Sequence, residues 1–169
     1  MNKIATWITR IALVLAGSVV ASRAQDSPPA PAGESLAIVV HKSNPVENVT
    51  TEELRKLCRA ERNHWSNGRR VTVALREPGQ AERTAVLKSV YGFTEEDFQR
   101  HFLQSTFTGE VQSAPKQLAT ASGMRRFVFN VPGAIAFVRV SEVDDSVKVL
   151  RLDGLEPKDG QYTLKVPMK

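Results

Sequence analysis

Residues 71–92 read VTVALREPGQAERTAVLKSVYG. VTVAL (71–75) has the β-branched, apolar make-up of a strand. EPGQ interrupts it, and AERTAVLKSVY then runs as a helix that Gly92 stops. A strand, a tight turn and a helix in succession are a building step of an α/β domain. The turn also raises a chemical question. A loop at a helix start with an arginine in it suits a small anion, yet this one sets Glu77 and Glu82 beside Arg76 and Arg83.

The alternation continues on both sides. Upstream, LAIVVH (36–41) is an unbroken apolar run, the pattern of a strand covered on both faces. KSNPVEN turns the chain, and Thr50 opens TTEELRKLC, a helix to about Arg59 whose Thr50/Glu53 spacing fits a capping box. ERNHWSNGRR (61–70) is a polar loop with an Asn-Gly turn. Downstream, Thr94 to about Leu103 is a further helix, with Thr94/Asp97 in the same capping spacing. A helical stretch is expected from about Pro115 to Val131, where Gly123 allows a break. PGAIAFVRV (132–140) and SVKVLRLDG (146–154) add two strands, and the tail offers a short edge strand. The fold class read from this order is α/β, with three layers and a mostly parallel sheet flanked by helices.

The N-terminus reads as an export signal. Lys3 and Arg10 precede the apolar run of residues 11–20, and small residues surround Ser22 and Ala24, which places cleavage after Ala24. The run is too short to span a bilayer comfortably, and no cysteine stands just after it to carry a lipid. Residues 25–34 form a Pro/Ala-rich linker, and 35–169 a single domain. Cut after Ala24, the 169-residue chain keeps 145, enough for one core. The formal charge of +5 falls to +2, because the signal removes Lys3, Arg10 and Arg23 and no acids. A whole-protein nucleic-acid footprint is therefore not supported.

Cys58 is the sole cysteine, so no intrachain disulfide forms. On a helix with Leu54 and Leu57, it is expected to pack as a small hydrophobe. His41, His64 and His101 sit on separate elements without metal-ligand spacing. Asp144 and Asp145 read as a solvated turn rather than a calcium site. No nucleophile motif stands out, so neither enzyme chemistry nor a metal or cofactor is expected.

Three stretches, SNPVENVTTEELRKL (43–57), HWSNGRRVTVALREPGQAER (64–83) and PGAIAFV (132–138), carry a resemblance. In order and spacing they are similar to the substrate-binding proteins of phosphate ABC transporters. That implies one lobe of a type 2 periplasmic-binding-protein fold. Nothing before Leu36 looks able to build the Gly/Ser-rich first lobe of full-length members. The resemblance also implies an oxyanion site after the strand, where the family has an arginine, two residues, then Gly-Ser-Gly-Thr. Here Arg76 and Gly79 remain, while Gln80, Ala81 and Glu82 follow.

The expected ligand residues are thus Arg76, Gly79, Gln80 and Ala81, with phosphate or another small oxyanion as the solute. Free helix N–H groups, the helix dipole and a bidentate Arg76 favour that ligand. Against it, a carboxylate in the first turn is itself stabilising by about 0.3–1 kcal/mol. Its repulsion of an anion at 4 Å costs about 4 kcal/mol at an effective dielectric near 20. Glu82 therefore reads as a cap, with Arg76 paired to a nearby carboxylate.

A second candidate is the aromatic-basic patch of Trp65, Arg69 and Arg70, which suits stacking or an acidic partner. Its plain alternative is a buried Trp65 with solvated arginines. Two functions follow. One is an exported, non-catalytic solute-binding-like protein related to phosphate-binding transport components. The other is an accessory domain that kept the fold, lost the ligand and contacts a membrane transporter or other envelope protein. A homo-oligomer would reconcile them by forming a cleft between two lobes.

Overall fold

The computed structural model describes residues 33–109, 111 and 114–167. The expected signal segment lies outside these residues, as does the linker apart from Gly33 and Glu34, which open the first strand.

Seven strands form one sheet. They are β1 (Gly33–Val40), β2 (Asn48–Val49), β3 (Thr72–Arg76), β4 (Lys116–Leu118), β5 (Ala134–Arg139), β6 (Lys148–Leu152) and β7 (Lys165–Pro167). The order is β2-β6-β1-β5-β3-β4, with β7 paired to the start of β1. β1 is antiparallel to β5, β6 and β7, whereas β2/β6, β3/β5 and β3/β4 are parallel. Six strands therefore share one direction, and the central β1 runs against them. Strand direction depends on the connections rather than on the apolar run itself, so LAIVVH carries no sign of it.

Both faces of β1 are covered, as its unbroken apolar run requires. Leu36, Ile38 and Val40 point into the larger core; Ala37 and Val39 point into a smaller one on the other face. The larger core takes side chains from helices α1 (Thr51–Cys58), α2 (Ala81–Val86) and α3 (Glu95–Phe107). The smaller core is closed by α4 (Ala121–Asn130), whose Met124 and Val128 rest on Ala74, Ala134 and Ala136. Small residues on that face let the helix approach closely. Helices on both faces make three layers.

Local chemistry fixes the helix ends. Thr50 and Glu53 cap α1 reciprocally, and Thr94 and Asp97 do the same for α3. α2 runs on through a π-helical turn, Leu87–Tyr91, and Gly92 ends it at φ 67°. The helix expected from Pro115 to Val131 is corrected. Lys116–Leu118 instead pairs with β3, satisfying that strand's open edge, and α4 begins only after Thr120. Gly123 does not break α4; its N–H is capped by the Thr120 hydroxyl at 3.0 Å. None of the described helices is long and apolar enough to cross a membrane.

Candidate functional site

β3 and β5 are parallel neighbours and both end in arginine, so Arg76 and Arg139 reach the same edge of the sheet. β1 runs the other way, with Leu36 opposite Arg139, which brings Glu34 to that edge. The β3–α2 turn rises beside them. Gly79 occupies φ 86°, open to a glycine and strained for a side chain. Gln80 stands at the N-cap position of α2 in extended geometry, and its side chain makes no capping bond. Gly79, Gln80 and Ala81 follow one another at this turn, Gly79 three residues after Arg76, with Gly79 and Gln80 exposed and Ala81 half-buried.

Glu82 faces inward. Its carboxylate accepts from Arg139 Nε at 2.6 Å, with the side chain only 10% exposed. Burial pushes its carboxyl pKa up. The Arg139 hydrogen bond, its own backbone N–H and the charges of Arg139 and Arg76 outweigh that, so the net shift is downward. Glu82 therefore does more than the cap read from the sequence: it serves its own first-turn amide, and it neutralises Arg139 at the sheet edge. Arg139 also donates from Nη1 to Glu34 at 2.9 Å. Glu34 in turn accepts from the hydroxyl and the backbone N–H of Ser141.

The expected carboxylate partner of Arg76 is corrected. Among the described residues no carboxylate pairs with it, and its buried Nη1 has no hydrogen-bond partner. The clasp forms one turn later. Arg83, 1% exposed, donates from Nε and Nη2 to Glu95 at 2.8 and 2.7 Å and from Nη1 to the Arg76 carbonyl at 3.0 Å. Its guanidinium lies over Phe98, 4.8 Å from the ring centre.

The second sequence candidate divides. Trp65 is inside, 4% exposed, and its indole N–H donates to the Gly133 carbonyl at 3.0 Å. Arg69 and Arg70 remain on the surface, and Arg69 donates to Ser43 Oγ at 3.0 Å. His41 and His64 bond to near neighbours, Ser43 and Asn63, and His101 to the Arg59 carbonyl; no group of His, Cys, Asp and Glu fit for a metal occurs among the described residues.

Chemically, the edge is a cluster of arginines and carboxylates that largely satisfy one another. Arg83 meets Glu95, Arg139 meets Glu34 and Glu82, and Glu142 accepts from the Arg139 backbone N–H at 3.3 Å, while Arg76 stands beside them without a carboxylate partner among the described residues. Arg139 and Glu34 were missed in the sequence. The signal that points to Arg139 is a repeated pattern: PGAIAFVR, like VTVALR, is an apolar strand closed by arginine.

No family model matches the chain. Solved structures do. One is an ABC-type phosphate transport receptor from Vibrio cholerae, 26% identical, TM-score 0.60, covering 74% of this chain and 48% of that one. Another is a protein of Clostridium perfringens assigned as a phosphate ABC transporter substrate-binding protein and solved with phosphate bound. It is 24% identical, TM-score 0.60, covering 73% and 47%. PstS from Borrelia burgdorferi matches at 13% identity and TM-score 0.61, covering 79% and 55%. The chain spans about half the length of these proteins. At the level of fold it is similar to part of a phosphate-binding protein.

Proposed function

We propose that the chain is an exported, non-catalytic solute-binding-like protein of the phosphate-receptor kind. It takes phosphate or another small oxyanion at Arg76, Gly79, Gln80 and Ala81. The observation that carries the reading is the buried Arg76 Nη1, which no group of the described residues satisfies, on a residue that closes a strand just before a helix whose N-cap side chain, Gln80, makes no capping bond. A buried cationic donor without a partner costs more than one left in water, and an oxyanion at the turn removes that cost. Its affinity is weak, in the millimolar range, about −4 kcal/mol, because Glu82 opposes it. Delivery to a membrane ABC transporter is the corresponding partner role.

A second reading has its own observation. The 2.6 Å Glu82–Arg139 pair supplies an internal anion, which suits an accessory domain that contacts another envelope protein and binds no solute. Arg69 and Arg70 are the exposed residues offered for that contact.

Titration of the purified, isotope-labelled protein with phosphate, followed by backbone amide NMR, separates the two. Saturable shifts at Gly79 and Ala81 that vanish in Arg76→Ala support the solute-binding reading. Flat amides up to molar-scale phosphate overturn it.

A further inference from the structure

We infer that Glu82 is the specificity-determining residue of this edge: its carboxylate is the built-in occupant of Arg139 and sets the weak affinity for oxyanions. The inference rests on the solute-binding reading for the identity of the seat, but its test is separable from it.

Arg139 is 29% exposed along its side chain, so a solute can reach it, whereas Glu82 is largely enclosed against it. Glu34 holds the other side of the same guanidinium at 2.9 Å with 34% exposure. The two carboxylates differ in where they stand. Glu34 comes from β1, across the sheet edge. Glu82 comes from the first turn of α2, immediately after Gly79, Gln80 and Ala81. It alone shares a helix start with the proposed ligand residues, and Arg76 lowers its pKa as well. An external oxyanion at the turn therefore competes with Glu82 for Arg139 and is repelled by it beside Arg76. With Glu82 ionised, the Arg139 guanidinium is held by Glu34 and Glu82, and Glu142 takes its backbone N–H. Without it, the Nε side of Arg139 is free for an external oxyanion.

The test compares phosphate affinities of wild type, Glu82→Gln and Glu34→Gln by amide NMR, with the Arg139 Nε–H signal as a second readout. Glu82→Gln keeps the shape and removes the charge. We expect it to tighten phosphate binding about tenfold or more, the effect of removing one unit charge a few ångströms from an anion. The Arg139 signal then moves with phosphate. Glu34→Gln tightens binding less than about threefold, since its charge is more exposed to solvent. If Glu82→Gln melts, Glu82→Asp keeps the charge but withdraws it by one methylene and falls between the two. Wild type that binds while Glu82→Gln binds no better overturns the inference and leaves the functional reading intact. Binding by Glu82→Gln alone supports the inference and overturns that reading. No binding by either overturns both, and equal gains from both variants overturn the inference.

Discussion

Arg83 and Glu95 form a two-toothed clasp between α2 and α3, with bonds of 2.8 and 2.7 Å to the two carboxylate oxygens and the arginine 1% exposed. Because Nη1 of the same guanidinium holds the Arg76 carbonyl, the clasp fixes the end of β3 and hence the turn above it. Arg83→Ala loses three charge-assisted bonds and the contact with Phe98. We expect a loss of about 2–4 kcal/mol, read as a lower urea midpoint. Arg83→Lys recovers little, since an ammonium cannot bond both oxygens and the carbonyl from one plane. Full recovery by lysine would count against the clasp.

Much of this scaffold was legible because its signals are local. Thr50/Glu53 and Thr94/Asp97 are three residues apart, and Gly92 marks its own stop. LAIVVH announces burial on both faces. The errors are non-local. Lys116–Leu118 is a strand only because β3 offers it an edge, and nothing within three residues says so. The same limit hid the site. Arg139 meets Glu82 across 57 residues and Glu34 across 105, so nothing near Arg139 in the sequence marks these partners, and the carboxylate was expected beside Arg76 instead.

The Trp65 loop is tied to the start of β5 at close quarters. A Cβ on Gly133 would meet the Arg70 carbonyl oxygen at 1.9 Å. Gly133→Ala is expected to cost about 1–3 kcal/mol through forced backbone displacement. Trp65→Phe, which removes the indole donor to Gly133 and shrinks a buried ring system, costs about 1–3 kcal/mol. Urea unfolding of both variants checks these costs, and a Gly133→Ala variant as stable as wild type would refute this account.

Cys58 is 1% exposed, and burial raises its thiol pKa to about 12. The native protein should therefore resist thiol reagents at pH 8, where the buried thiol stays protonated. Labelling should become complete in denaturant. Rapid native labelling would show that α1 opens far more readily than its packing implies.

Export has a direct readout. Cleavage after Ala24 leaves Gln25 as the first residue. Intact mass of protein recovered from the cell envelope should match residues 25–169, and retention of residues 1–24 would refute the proposed processing.

Acid should loosen the site edge before neutral conditions do. Glu34 lies below the usual 4.5 through the Ser141 hydroxyl and then Arg139, and Glu95 through Arg83. Glu82 is lowered net, burial opposing and Arg139 prevailing. A carboxyl whose folded pKa sits below its unfolded value binds fewer protons when folded. Its contribution is complete above about 4.5 and is lost as pH falls through the folded values. The urea midpoint is expected to hold level from pH ~8 to about 5.5 and to drop below about 4.5. Glu95→Gln gives up part of that stability at neutral pH, so its midpoint starts lower and falls less on acidification. Parallel acid limbs for wild type and Glu95→Gln would mean that the Arg83–Glu95 clasp contributes nothing to the pH dependence.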